Sequence, residues 1–390
     1  MVSAALSAAE VPASARRVHE SLLTLDTHLD TPAWLSVSGW SILDAHDVKR
    51  DGSQIDVPRM KQGGLDGGFW AVYIPQGPLT AEGRANARDA ALVRLQEIRE
   101  LAAAHPRDFT LAFTAADAPR IAATGKRIVY LSMENGYPFG EDVTLLRTFY
   151  RLGVRIAGVA HFLNNDLGDS STDPAGAKWR GLSPLGKQWV AEANRLGVLI
   201  DASHSSDDVF DQLLELSRAP IVLTHSGARA VFDHPRNVDD ARLRRLAAKG
   251  GVIQISAYSD YMIPRSADAA RTAERSKLLR ARGNTLPERE AAQKALGELE
   301  QRSPAPRADF EAFIAHLRHA IEVAGIDHVG IGIDFDGGGG VTGLDDARDY
   351  PKISAALLAA GYSREDLEKV WSGNVLRVLA AAQSAAETAR

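Results

Sequence analysis

Seven side chains of metal-ligand type, His28, Asp30, Glu134, His161, His204, His225 and Asp334, each follow or end a short apolar run. Imidazole nitrogens and carboxylate oxygens bind divalent first-row metals. The chain has no cysteine, so thiolate ligation is excluded and any metal must use this kind of donor. His28 and Asp30 stand two apart in Leu22-Leu23-Thr24-Leu25-Asp26-Thr27-His28-Leu29-Asp30, ahead of Thr31-Pro32. Side chains alternate along a strand, so the imidazole and the carboxylate face one way. A single His-x-Asp more often marks a hydrogen-bonded pair than a ligand pair. Recurrence of the same chemistry after strand upon strand points to a metal centre.

The elements that must carry these residues are eight short apolar runs, at 22–26, 69–74, 128–133, 154–160, 198–202, 221–224, 251–256 and 329–333. Helical patterns fill most of the gaps, at 81–104, 142–152, 184–196, 206–217, 239–249 and 307–324. Strands alternating with helices imply a parallel sheet. Eight such units predict an α/β fold of the closed (β/α)8 TIM-barrel type, with a doubly wound open sheet as the alternative. No glycine-rich dinucleotide or phosphate loop follows an early strand, which weighs against the open sheet. In a barrel the catalytic groups sit at the C-terminal ends of strands, and all seven residues fall at that rim. The remaining histidines do not: His328 precedes strand 8, His316 and His319 lie on a helix expected to show them to solvent, and His19, His46 and His105 read as structural. His234 stays close enough to the strand 6 loop to be a minor candidate.

The whole chain, 1–390, reads as one metallo-dependent hydrolase barrel domain with three departures from the repeat. Residues 39–68 form a long polar connection after strand 1. Residues 257–305, charged and rich in Ala, Arg and Glu, form an insertion after strand 7, either a lid or a helical surface for oligomer contacts such as a homodimer. Residues 352–390 are expected as C-terminal helices packed outside the barrel.

Seven ligand-type groups exceed what one open metal site needs. Glu134, with two oxygens, could bridge two ions, with His28 and Asp30 on one and His204 and His225 on the other. Paired metals can share a hydroxide and polarise a carbonyl oxygen. Asp334 and His161 then have no required ligand role. A carboxylate beside activated water suits proton transfer, and an imidazole suits a developing oxyanion. Asp336 could replace Asp334, although Asp334 is nearer the strand.

Composition narrows the partners. A net charge of −5 and a pI near 6.1 give no basic excess for nucleic acid. No apolar run is long enough to cross a bilayer, so no membrane partner is expected. The segment 1–15 lacks the basic leader and apolar core of an intact signal peptide. A soluble protein is expected, cytoplasmic in preference to periplasmic or secreted, and the lack of cysteine does not itself fix the compartment.

From residue 25 to about 377 the chain resembles the membrane (renal) dipeptidase family of binuclear zinc metallopeptidases, most of all its bacterial members. The resemblance rests on Asp26-Thr27-His28-Leu29-Asp30, Asp56-Val57-Pro58-Arg59, Gly67-Gly68-Phe69-Trp70, Glu134-Asn135-Gly136, His161 with Asn164-Asn165, and Asp201-Ala202-Ser203-His204. It continues through Thr224-His225-Ser226, Pro235-Arg236-Asn237, Gly332-Ile333-Asp334-Phe335-Asp336-Gly337 and Gly373-Asn374-Val375-Leu376-Arg377. The resemblance implies two Zn2+ ions bridged by Glu134 and a hydroxide, one held by His28 and Asp30 and the other by His204 and His225. It also implies His161 at the substrate carbonyl, Asp334 as the acid/base, and Arg236 with Tyr258 at the free carboxylate of a dipeptide. Thr27, Leu29 and Asn135 depart from residues common in the family, which bears on side-chain specificity more than on chemistry. The cysteines of the secreted mammalian enzymes and a C-terminal lipid-anchor signal are absent.

The expected activity is therefore hydrolysis of L-Xaa-L-Xaa or L-Xaa-D-Xaa dipeptides. The alternatives are a metal-dependent amidohydrolase acting on N-acyl amino acids or lactams, and a non-catalytic metal-dependent binding protein.

Overall fold

A computed structural model describes residues 11–386. Eight parallel strands form the sheet: β1 (Leu25–Leu29), β2 (Gly67–Val72), β3 (Arg127–Met133), β4 (Val154–Gly158), β5 (Leu199–Asp201), β6 (Val222–Ala228), β7 (Val252–Ile255) and β8 (Val329–Ile331). They pair in sequence order from β1 to β8, the arrangement of a (β/α)8 barrel. Two short strands lie off this path, Phe109–Leu111 on β3 and Asn237–Val238 on β6. The apolar runs of the sequence thus locate the strands within a few residues. The largest differences are β1, which begins three residues later than its run, and β6, which continues past Thr224 because Gly227 and Ala228 find partners in Asn237 and Val238.

Alternation divides the strand residues between two cores. Along β3, Val129, Leu131 and Met133 pack toward the surrounding helices. Ile128 and Tyr130 instead join Leu25, Phe69, Ile156, Leu199, Val222 and Val252 in the barrel interior. Continuing that alternation places Ser132 and then Glu134 on the inner side. The interior is so full near β8 that its inward positions are glycine: a Cβ at Gly332 would overlap the Thr224 carbonyl oxygen and crowd Thr27 Oγ1.

The seam between β1 and β8 is nearly closed without a regular ladder. Leu29 and Phe335 form a single bridge, with Asp30 N–H donating to the Phe335 carbonyl at 3.0 Å. The Asp26 carboxylate, fully buried, accepts from Ile333 N–H at 3.1 Å, from His28 N–H at 2.9 Å and from the Tyr350 hydroxyl at 2.6 Å. A side chain here replaces strand-to-strand hydrogen bonds.

Two expectations are corrected. The C-terminal helices do not all lie outside the barrel: Asn374–Ser384 closes the end opposite the rim that carries the seven ligand-type residues, with Val375, Val378, Leu379 and Ala382 in the interior core. An eight-stranded barrel leaves an apolar lower mouth that needs such a cover. His316 is not solvated either. It is buried, and its Nδ1 accepts the Ala228 N–H at 3.0 Å, while His319 pairs with Asp240 at 2.7 Å.

The insertion after β7 contains two helices, Ala269–Arg280 and Leu286–Arg302, the second started by a capping box of Thr285 and Glu288. It docks on the long connection after β1: Ser38 N–H donates to the Asn284 carbonyl and Leu286 N–H to the Ser38 carbonyl, each at 2.8 Å. Arg50 and Glu290 add an ion pair at 2.8 Å. No helix among the described residues is long and apolar enough to cross a membrane. Most of the segment 1–15, read above for a leader, lies outside the described residues.

Candidate metal centre

Each ligand-type side chain reaches the rim by a local device. Glu134 follows directly from the alternation of β3. His28 and His225 need more, because β1 slips in register between Asp26 and Leu29, and β6 between Leu223 and Ser226. A bulge adds a residue and re-aims the next side chain. Asp26 can therefore turn to the seam while His28, two residues on, turns to the mouth. His204 (φ 65°), Asp334 (φ 72°) and Asp336 (φ 69°) adopt left-handed backbone conformations that non-glycine residues rarely take. Such strain costs about 1–3 kcal/mol per residue and persists only where surrounding structure imposes it.

Glu134 is the hub. Its Oε1 lies 3.2 Å from His204 Nε2, 3.3 Å from His161 Nε2 and 3.6 Å from His225 Nε2, and its Oε2 lies 3.6 Å from His28 Nε2. His28 Nε2 is also 3.3 Å from Asp30 Oδ2. Three groups of ligand atoms lie within 4.8 Å of one another: His28, Glu134 and His225; Glu134, His161 and His204; and His28, Asp30 and Asp334. All seven predicted residues therefore meet, with Glu134 shared between two groups and His28 between two. Gly337 makes room at the third group, where a Cβ would overlap both Asp30 and Asp334.

A second layer fixes the imidazoles. Asp201 accepts from Ser203 N–H at 2.8 Å, Thr224 N–H at 3.1 Å and Thr224 Oγ1–H at 2.5 Å. It ties the ends of β5 and β6 together where His204 and His225 emerge, and Thr224 Oγ1 lies 3.0 Å from His225 Nδ1. Asp201 thus serves one side of the site as Asp26 serves the other.

The electrostatics match a cation site. Burial raises the cost of charge on Glu134, yet His161 and His28 beside it hold its carboxyl well below the usual range. Burial pushes both His204 and His225 well down, reinforced by Arg236 and His161 at His204 and by His28, His204 and Arg236 at His225, so both are neutral donors. His28 moves the other way: burial opposes its charge, but Glu134 and Asp30 outweigh burial and raise it. Asp334 is raised well above the carboxylate range by burial and by Asp30 and Glu134. His28 Nε2 is buried with no hydrogen-bond partner, and His204 Nε2 stands 2.8 Å from His225 Nε2 with a shared donor the only alternative to facing lone pairs. A divalent cation would resolve both conditions, and the donor set is one that such ions accept.

Above these groups is a cavity of about 390 Å³ lined by Asp30, Tyr73, Glu134, His161, Tyr258 and Asp334, among others. Arg236 lies one layer behind it. Its guanidinium donates to His225 O at 2.9 Å and Ser226 Oγ at 3.1 Å, sits 5.1 Å from the Tyr261 ring centre, and keeps a buried Nε without a partner. Tyr261, which the sequence reading passed over, stacks on Tyr258 at 4.5 Å and separates Arg236 from the cavity. A signal for it existed: it lies three residues after Tyr258 on the same post-β7 loop. His234 does not line the cavity; its Nδ1 accepts the Arg236 N–H at 3.1 Å. Asp336 is engaged by Thr31 at 2.7 Å, Trp34 at 3.2 Å and Gln54 N–H at 2.7 Å, which leaves Asp334 the freer carboxylate.

Residues 12–390 match the family described as membrane dipeptidase, peptidase family M19. Among curated relatives, dipeptidase tcpJ of Claviceps purpurea is 34% identical over 333 residues, covering 83% of this chain and 68% of its own length. Among solved structures, the probable dipeptidase PvdM of Pseudomonas aeruginosa superposes with a TM-score of 0.80 at 31% identity, over 96% of this chain and 98% of its own. A metallopeptidase from Rhodobacter sphaeroides, solved with a phosphinate mimic of the dipeptide L-Ala-D-Ala, superposes with a TM-score of 0.72 at 26% identity, over 92% of this chain and 99% of its own. The chain belongs to the membrane dipeptidase family of metallopeptidases.

Proposed function

We propose that this member of the membrane dipeptidase family is a two-zinc enzyme that hydrolyses L-Xaa-L-Xaa and L-Xaa-D-Xaa dipeptides. The observation that carries the reading is the convergence of His28, His204 and His225 around one shared carboxylate, Glu134, with Asp30 3.3 Å from His28, beneath a cavity of about 390 Å³. His28, Asp30 and Glu134 would hold one ion, and Glu134, His204 and His225 the other. The ions, when bound, activate water and polarise the scissile carbonyl. Acceptance of a D-residue at the second position is supported by the ligand of the Rhodobacter relative.

The chain's own groups supply the remaining steps. His161, held by Phe162 at 4.0 Å and Tyr73 at 4.8 Å between ring centres, donates a hydrogen bond to the carbonyl oxygen as negative charge develops there. Asp334 Oδ, grouped with His28 and Asp30 at the rim, takes the proton of the attacking water and delivers it to the leaving amine nitrogen. The second residue's carboxylate binds on the β6–β7 side, where Arg236 supplies charge and Tyr258 and Tyr261 supply hydroxyls. Cleavage would thus be limited to short peptides with a free C-terminus.

The test is hydrolysis of L-Ala-L-Ala and L-Ala-D-Ala by protein stripped with a chelator and resupplied with zinc, alongside N-acetyl-alanine. Zinc-dependent release of alanine from the dipeptides is expected. Preference for the N-acyl amino acid would replace this reading with that of an acylase.

A further inference from the structure

The cavity has two unlike sides. On the β6–β7 side lie Tyr258 and Tyr261 with Arg236 behind them. Across the mouth, against the loop after β1 and the helix after β2, it is lined by Arg94 from Ala81–Ala104 and by Asn284 and Arg289 from the insertion. The charge of Arg94 is spoken for: it pairs with Glu97 at 2.9 Å and donates to the Pro32 carbonyl. Arg289 differs. Its guanidinium lies 5.0 Å from the Trp34 ring centre, its Nε is buried without a hydrogen-bond partner, and no salt bridge reaches it among the described residues. Arg282 and Arg275 of the same insertion likewise lack a salt bridge among the described residues.

Arg282 and Arg289 are half-buried and Arg275 is exposed, and Arg282 is pushed down by burial and by the like charge of Arg289 and Arg275. Asp336 offsets part of the charge of Arg282, whereas no carboxylate pairs with Arg289 among the described residues. Such an arrangement is relieved by an anion entering the cavity. A dipeptide with its free carboxylate on the β6–β7 side and its carbonyl above Glu134 directs its first residue toward this wall.

We propose that Arg289 selects dipeptides whose N-terminal residue carries an acidic side chain. The inference rests on the dipeptidase reading above, and it identifies the substrate class within that reading. Arg289 is a specificity residue: its Nη groups donate to the side-chain carboxylate, and Trp34 holds the guanidinium plane in place.

The experiment compares kcat/KM for L-Glu-L-Ala, L-Gln-L-Ala, L-Ala-L-Glu and L-Ala-L-Ala in the zinc-loaded wild-type protein and in Arg289→Gln. A charge-assisted hydrogen bond favours Glu over Gln at the first position by about 10- to 100-fold in the wild type. The Glu/Gln ratio falls to near unity in the variant. Both rates come from one preparation, so any loss of folded protein scales them alike and leaves the ratio intact. A wild-type ratio near or below unity, a ratio that R289Q does not change, or a preference for L-Ala-L-Glu would overturn the assignment while leaving the dipeptidase reading in place. Failure to hydrolyse any of the four, L-Ala-L-Ala included, would remove that reading and this one together.

Discussion

The strand-end cluster and the insertion wall face each other across one cavity, yet they are built on different principles. The cluster's seven residues stand on or shortly after six different strands, pinned by register slips and by the buried Asp26 and Asp201. The wall's Arg289 stands on a helix that docks on another loop through the Ser38–Asn284 contact and the Arg50–Glu290 pair. A metal pair requires ligand atoms placed to tenths of an ångström, which strands of a closed sheet can supply. Recognition of a variable side chain requires only charge and reach, which an excursion can supply and exchange without disturbing the sheet. On the proposed reading chemistry and selectivity are separable, and substitutions can test whether they separate in practice.

The largest effect is expected on the cluster. Glu134→Gln removes the shared anion from four imidazoles, so hydrolysis of L-Ala-L-Ala should fall to background. An assay at saturating zinc checks this, and substantial residual turnover would mean that the hub is misplaced. Next, Asp334→Asn should lower turnover by about 10²–10⁴-fold, the usual worth of a positioned acid/base, while elemental analysis finds the metal retained.

Acidity should act on the cluster with a definite sign. His28 is raised in the metal-free protein, so at neutral pH it carries a proton that must leave before Nε2 can bind a cation. His204 and His225 are lowered and already neutral, so they release none. Zinc affinity should therefore rise with pH by up to about tenfold per unit for that one proton, until pH passes the raised value of His28. Calorimetric titrations in two buffers of different ionisation enthalpy count the released proton, and identical apparent enthalpies would refute the displacement.

Smaller effects separate the supports of the two regions. Asp201→Ala orphans Ser203 N–H, Thr224 N–H and the Thr224 hydroxyl beneath the cluster, and should cost about 1–3 kcal/mol in urea unfolding. Thr285→Ala removes the cap of the insertion helix and should cost about 1 kcal/mol or less, mostly as local fraying seen by hydrogen exchange. Equal losses from the two would contradict the division between a pinned sheet and a docked excursion.

The same division explains what could be read from sequence. The eight strands, their order and the seven rim residues were legible because apolar runs and a period of two are local properties. His28 and Asp30 were correctly placed on one side, although a bulge contributes to that outcome and no spacing rule reveals it. Asp26 sits inside a quoted motif, but its role at the seam depends on Tyr350 and Ile333, both more than 300 residues away in the chain. The places of Tyr261 and Arg289 were not legible because each is set by a tertiary neighbour, Arg236 in one case and Trp34 in the other. His316 was misjudged because an outer helix turned one imidazole toward Ala228 N–H. The last helix was misjudged because an amphipathic pattern does not say which apolar surface it will cover.

The most direct test of the shared-carboxylate centre is the zinc content per chain after exhaustive dialysis against buffered free metal. Two ions per wild-type chain, falling on replacement of Glu134 by Gln, is the predicted result. A wild-type chain that retains none, or a Glu134→Gln chain that still retains two, would contradict it.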